Sequence, residues 1–141
     1  MNCDRSPMKR VPGWTRWAFT VGWLAFISAV VFCADRHWLT PVFQFIVAHP
    51  GSDKAGHFVL IGGMAFLLNL SLDLRSVRLL GWGWLLGGVV VGAVCTIEEI
   101  SQIWIPGRTF DLLDLAGDYA GIVFFGWLAK VVVRRGGKID F

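Results

Sequence analysis

The chain contains four apolar runs that are each long enough to cross a lipid bilayer. A transmembrane helix needs about 20 mostly apolar residues to cover a hydrocarbon core roughly 30 Å thick. The runs cover residues 17–34, 55–72, 79–97 and 115–133, and the first and third contain no charged side chain. They predict an all-α membrane protein, a bundle of four transmembrane helices within a single domain spanning residues 1–141.

Composition supports a membrane protein and excludes several other classes. Of the 141 residues, 55% are hydrophobic and 16% are charged. In soluble domains about 45–50% of the residues are apolar and about 25% are charged. The net charge of +3 is small and the basic residues are dispersed, so no nucleic-acid partner is expected. The three cysteines share no ligand spacing, so no disulfide framework and no zinc site are predicted. Carboxylate oxygens suit magnesium or calcium, but no spacing here is diagnostic, so no metal and no cofactor is assigned.

The distribution of basic residues predicts the orientation of the spans. Nine of the thirteen lysines and arginines fall before the first span, between the second and third, or after the fourth, and Lys130 lies just inside the same end of the fourth span, which makes ten on one side. Arg36, Lys54 and Arg108 fall on the other side. Because cytoplasmic loops carry the excess of positive charge, both termini are predicted to be cytoplasmic.

Residues 37–50, between the first and second spans, are too few to cross a bilayer but rich in apolar side chains. They predict a short interfacial or re-entrant segment on the outer surface. A loop packed on the bundle is the alternative, and the sequence leaves both open.

Glycines spaced four apart predict where the helices approach each other closely. The pairs are Gly83 with Gly87, Gly88 with Gly92, and Gly117 with Gly121. Such small-residue spacing allows helix backbones to come together in lipid. Two of the pairs lie in the third run, so the third span is predicted to be the central helix.

Polar side chains concentrate at one end of the predicted bundle. Successive spans reverse direction, so the start of the second, the end of the third and the start of the fourth share a membrane face. Ionisable groups near membrane depth normally face a bundle interior or a wet cavity. We therefore predict an outward-facing polar pocket, which is lined by Asp53, Lys54, His57, Glu99, Gln102, Arg108, Asp111, Asp114 and Asp118.

Helical spacing places some of these side chains on common faces. Asp53 lies four residues before His57, and Glu99 lies three before Gln102. A histidine held by a carboxylate can exchange protons near neutral pH. Adjacent residues on a helix point about 100° apart, so Glu98 and Glu99 cannot share one role.

Two segments resemble the motifs of VanZ-like membrane proteins. Residues 53–58 read DKAGHF, similar to the family's DKxxHF opening, and residues 99–114 are similar to its ExxQ…PGRxFDxxD segment. The resemblance covers residues 53–126. It implies a multi-pass protein of the bacterial cytoplasmic membrane, in a family named after a protein linked to teicoplanin resistance. Because Glu99 pairs with Gln102 in the family motif, the resemblance also implies that Glu99 faces inward and Glu98 is peripheral. Asp118 departs from the pattern, because the family usually has asparagine there.

Three functions remain open. The first is binding of a polar lipid headgroup or an amphiphilic glycopeptide antibiotic at the outer leaflet, contributing to resistance. The second is an enzyme acting on a lipid-linked phosphate or ester, with His57 as acid or base, Glu99 or Asp114 as its partner and Arg108 on the anion. The third is a small scaffold that binds another membrane protein through its glycine faces, with the carboxylates as a structural clasp.

Simpler structural roles compete with these functions at individual positions. Asp53, Asp111 and Asp114 are each suited to capping the start of a helix. Lys54 is suited to reaching the headgroups as an interfacial lysine. Arg108 is suited to an ion pair that ties the third span to the fourth.

Overall fold

The computed structural model describes residues 12–35, 51–104 and 110–135. The predicted interfacial segment 37–50 and Arg108 lie outside these ranges. The described elements are α1 (Gly13–Asp35), α2 (Ser52–Ser71), β1 (Ser76–Leu79), β2 (Trp82–Leu85), α3 (Leu86–Ser101), a 3₁₀ turn (Gln102–Trp104) and α4 (Leu112–Arg135). Four helices in the described ranges are long and apolar enough to cross a membrane. The prediction of a four-helix membrane bundle is thus confirmed.

Helix α2 occupies the centre of the bundle. It packs against α1, α3 and α4, and most extensively against α4. At the crossing, a methyl group added to Gly121 would lie 2.3 Å from the carbonyl oxygen of Phe58. One added to Gly62 would lie 3.0 Å from the carbonyl oxygen of Gly121. The absence of side chains at these two positions therefore allows the backbones of α2 and α4 to touch.

The prediction that the third span is central was wrong. Gly88 and Gly92 do face a neighbour, but a methyl group there would meet the side chains of Ile122 and Tyr119, at 3.1 and 3.2 Å. These side chains keep the backbones of α3 and α4 further apart than the backbones of α2 and α4 are at their crossing. The described glycines at 88, 92, 117 and 121 thus contact helices of the same chain, which weakens the idea of glycine faces reserved for a partner.

Helix α1 attaches to α2 through polar contacts along its length. The indole Nε1 of Trp23 donates a hydrogen bond to the carbonyl oxygen of Leu60, at 2.9 Å. The hydroxyl groups of Thr20 and Ser71 share another hydrogen bond of 2.9 Å, and both residues are buried. Hydrogen bonds of this kind supplement packing between helices in lipid, where no hydrophobic force drives them together.

Residues 79–85 form part of a β-hairpin, so the third span starts later than predicted. Strands β1 and β2 pair antiparallel across the turn at Leu80 and Gly81. Both turn residues have positive φ, 52° and 80°, as in the two-residue turns that match strand twist. Gly83 consequently lies in β2, and its predicted helical pairing with Gly87 was wrong.

Arg16 holds the end of α2 that leads into this hairpin. Its Nη1 donates to the carbonyl oxygen of Leu70 at 3.0 Å and to Oδ1 of Asp73 at 2.5 Å. Asp73 adopts a left-handed conformation with φ 52°, and the next residue, Leu74, donates its N–H to the carbonyl oxygen of Asn69 at 2.8 Å. This is the Schellman arrangement that ends many helices. The arginine also complements the negative end of the helix dipole.

Asn69 is a buried polar side chain near the same end of α2. It is fully buried, and neither its amide nitrogen nor its amide oxygen has a hydrogen-bond partner in the described part of the chain. A methyl group at Gly87 would lie 2.5 Å from its Oδ1, and one at Gly126 would lie 3.8 Å from its Nδ2. Asn69 thus fills the space that two glycines leave between α3 and α4.

Candidate functional site

The start of α2, the end of α3 and the start of α4 meet at the end of the bundle opposite the hairpin. We call this the polar end. Eight of the nine residues predicted to line a pocket lie in described segments there, and we call them the polar cluster: Asp53, Lys54, His57, Glu99, Gln102, Asp111, Asp114 and Asp118. The ninth, Arg108, lies outside the described residues.

Lys54 links α2 to the start of α4. Its ammonium nitrogen lies 2.9 Å from Asp111 Oδ2 and 2.5 Å from Asp114 Oδ1. It also contacts the carboxylate of its neighbour Asp53, at 2.9 Å. Lys54 is therefore a bridge between helices and does not simply extend towards headgroups.

His57 pairs with a carboxylate on α4, deeper in the bundle than Lys54. Its Nδ1 lies 3.0 Å from Asp118 Oδ1, and its Nε2 lies 3.9 Å from Asp114 Oδ2. Asp53, four residues before His57 on α2, is bonded to Lys54. Asp118 is buried and His57 is about one-third exposed, so the imidazole connects a buried carboxylate with the surface of the cluster.

Glu99 joins the end of α3 to the start of α4. Its side chain accepts a hydrogen bond from the backbone N–H of Asp111 at 2.6 Å and one from Gln102 Nε2 at 3.1 Å. Glu99 is only 2% exposed, whereas Glu98 is exposed, which confirms that Glu99 faces inward and Glu98 is peripheral. Gln102 bonds to both glutamates and so fixes the last turn of α3.

Asp111 is the N-cap of α4. Its Oδ1 accepts the N–H of Leu113 at 2.8 Å, which satisfies one of the free amides at the helix start. The nearby Lys54 ammonium and this N–H hold the pKa of the Asp111 carboxyl below its usual value. Of the three predicted caps only this one is confirmed. The N-cap of α2 is Gly51, and Asp53 and Asp114 lie in first turns.

A second polar contact between α3 and α4 was missed by the sequence analysis. The hydroxyl of Tyr119 lies 2.8 Å from Thr96 Oγ1, whose hydroxyl also donates to the carbonyl oxygen of Gly92. Tyr119 follows the buried Asp118 on α4 and is the only tyrosine in the chain. That isolation among eight tryptophans and eleven phenylalanines was the available signal that a hydroxyl is used there.

The cluster contains more acidic than basic groups. Five carboxyl groups, those of Asp53, Glu99, Asp111, Asp114 and Asp118, meet one lysine and one histidine. Across residues 12–35, 51–104 and 110–135, no set of three or more histidine, cysteine, aspartate or glutamate side chains is arranged to hold a metal ion. The described arrangement can bind a positively charged or hydrogen-bond-donating group, and it can relay a proton through His57.

The chain was compared with protein-family models, with curated proteins and with solved structures, and nothing in any of the three matches it. The resemblance to VanZ-like proteins therefore rests on the two sequence motifs.

Proposed function

We propose that the chain is a VanZ-like protein of a bacterial cytoplasmic membrane, with both termini in the cytoplasm and the polar end at the outer leaflet. In this proposal the polar cluster binds the headgroup of an amphiphile, either a lipid or a glycopeptide antibiotic, and contributes to resistance. Both motifs supply members of the cluster, and the distribution of basic residues supports the orientation.

The observation that carries this proposal is the burial of two carboxylates on different helices at the polar end. Glu99 on α3 is 2% exposed and Asp118 on α4 is 4% exposed. Burying charge costs free energy unless partners compensate it, and intramembrane ionisable residues usually serve a function. His57 connects Asp118 to the accessible part of the cluster, where a headgroup could reach it.

The charge of the cluster favours an amphiphile that carries an amino group. Asp53 and Asp111 leave 52% and 40% of their side chains exposed while they contact Lys54. Their outer oxygens can therefore accept hydrogen bonds from an incoming ammonium, which would reduce repulsion among the acidic groups. A phosphate group would instead have to approach these carboxylates.

A comparison of two adjacent glutamates tests the proposal in cells. The wild type, Glu99→Gln and the matched control Glu98→Gln are expressed in a glycopeptide-susceptible host at equal membrane abundance. We expect the wild type and the control to raise the inhibitory concentration of a lipoglycopeptide, and Glu99→Gln to return it to that of the empty vector. Equal inhibitory concentrations for wild type and empty vector would refute a role in resistance.

Direct binding separates recognition from other causes of resistance. The purified full chain in nanodiscs is titrated with a lipoglycopeptide and, separately, with a short-chain aminophospholipid and its choline analogue. Tighter binding of the amino ligands, weakened in Glu99→Gln and retained in Glu98→Gln, is the expected result. Equal affinity for the amino and choline lipids would contradict the role of the acidic cluster.

A second candidate is an enzyme that acts on a lipid-linked phosphate or ester, favoured by the 3.0 Å contact between His57 and Asp118. A carboxylate that orients an imidazole is a common arrangement in general acid–base catalysis. The sequence predicts Glu99 or Asp114 as the partner of His57. Asp114 does lie 3.9 Å from Nε2, but Asp118 lies closer, at 3.0 Å from Nδ1, and in this candidate it is the carboxylate that orients the imidazole. We expect His57→Gln to abolish, and Asp118→Asn to reduce, release of phosphate from a synthetic lipid phosphate.

Retained amphiphile binding by these two variants would assign His57 and Asp118 to chemistry, separately from binding. If the variants instead lost folding yield and every activity in proportion, the polar cluster would be a structural clasp.

A further inference from the structure

The hairpin at the opposite end of the bundle has one entirely apolar face. The strand register places Val77 opposite Trp84 and Leu79 opposite Trp82. Opposed residues lie on the same face of a hairpin, and successive residues alternate between faces. These four apolar side chains therefore share one face, and Trp82 is 73% exposed on it.

The backbone of the hairpin limits how deeply it can lie in a bilayer. Among the described residues the sheet has two strands and therefore two open edges, whose N–H and C=O groups need water or other polar partners. The hydrocarbon core offers none, so a lipid-exposed strand edge is not stable there. An exposed face with two tryptophans is equally unsuited to bulk water. Only the headgroup region, where tryptophan is enriched, satisfies both requirements.

Positive charge surrounds this hairpin. Arg75 directly precedes β1 and Arg78 lies within it, on the face opposite the tryptophans, and both are exposed. Arg134 and Arg135 end α4 at the same end of the bundle and are exposed as well. The carboxylate of Asp73 is engaged by Arg16. The charge of this end is therefore complementary to anionic lipid headgroups.

We propose that the hairpin is a binding site for anionic phospholipids. Val77, Leu79, Trp82 and Trp84 lie against the upper part of the acyl chains, and the two hairpin arginines bind lipid phosphates. The site lies at the far end of the bundle from the polar cluster. It depends on the chain spanning a membrane and is independent of what the polar cluster binds.

The first test measures the depth of the apolar face. The full chain is reconstituted with lipids brominated either near the headgroup or near the chain ends, and fluorescence quenching is compared between the wild type and Trp82→Phe. We expect the part of the wild-type fluorescence that is lost in Trp82→Phe to be quenched mainly by bromine near the headgroup. Trp127 lies on the exposed side of α4. The fluorescence lost in Trp127→Phe should be quenched mainly by bromine near the chain ends. Quenching of Trp82 by aqueous iodide and by neither lipid would overturn the proposal.

The second test measures lipid selection with two matched pairs of charge changes. Spin-labelled phosphatidylglycerol and phosphatidylcholine are compared for association with the wild type, Arg75→Gln/Arg78→Gln and Arg134→Gln/Arg135→Gln. An arginine near an anionic surface changes binding by about fivefold. We therefore expect the hairpin variant to lose most of the preference for phosphatidylglycerol, and the α4 variant to keep most of it.

The preference should also weaken at high salt, because these arginines are exposed. If both double variants lost the preference for phosphatidylglycerol equally, the hairpin site would be overturned. The lipids would then be attracted by positive charge spread over this whole end of the bundle. Absence of any preference in the wild type would overturn it as well.

Discussion

Replacing Gly121 by alanine is expected to force α2 and α4 apart. The added methyl carbon would lie 2.3 Å from the carbonyl oxygen of Phe58 and 3.1 Å from that residue's Cα and carbonyl carbon. A carbon–oxygen contact is comfortable at about 3.3–3.6 Å, so the helices would have to separate by about 1 Å. The obstructing atoms belong to the backbone, and no change of rotamer can relieve the clash.

This separation should lower the free energy of unfolding by about 1–3 kcal/mol, the usual cost of overfilling a packed interior. The matched control is Gly56→Ala, also on a helix, because a methyl group at Gly56 meets no other atom within 4 Å. The control should leave the free energy of unfolding unchanged or raise it by up to about 1 kcal/mol, since alanine favours helix more than glycine does.

Steric trapping in bicelles measures both variants against the wild type without a denaturing detergent. Equal free energies of unfolding for Gly121→Ala and Gly56→Ala would refute the backbone contact at this crossing.

Three further changes test other contacts. Arg16→Gln should destabilise the fold by roughly 1.5–3 kcal/mol in the same assay, since a charged donor to the end of α2 is lost, and an unchanged stability would contradict that contact. Because the pKa of Asp111 is lowered in the folded chain, its contribution is complete at neutral pH and is lost as the pH falls below the usual value of 3.8. Asp111→Asn should therefore be less stable at neutral pH and show a shallower loss in an acid titration, and an acid profile identical to that of the wild type would contradict this contribution. Asn69→Leu should keep or increase stability, because an unpartnered buried amide costs about 1–3 kcal/mol, and a clear loss would show that this amide is satisfied in the membrane.

The spans could be predicted from sequence because crossing a bilayer imposes a minimum apolar length. The hairpin could not be predicted by the same criterion, since residues 79–85 contain no charged side chain and continue directly into the apolar helix that follows. The signal was present in the turn at Leu80 and Gly81 and in the alternation of Trp82 and Trp84. Because this alternation runs directly into the residues of α3, apolar length alone does not separate the hairpin from the third span.

The polar cluster could be located from sequence, although its internal pairing could not. Helical spacing identifies neighbours on one helix, such as Asp53 and His57. It carries no information on which side chain of another helix comes closer, and Asp118 lies at 3.0 Å. Arg16 was missed for the same reason, because its partners on α2 and at Asp73 follow 54 and 57 residues later.

The bridge from Lys54 to α4 has a consequence for how the chain is made. Its partners Asp111 and Asp114 follow 57 and 60 residues later. At about 5–20 residues per second, the ribosome completes them roughly 3–12 s after the lysine. During this interval the carboxylate of Asp53, which lies 2.9 Å from the ammonium group in the folded chain, is the one of the three carboxylate partners that has already been synthesised. A contact that looks redundant in the finished bundle is therefore available to the nascent helix before α4 exists.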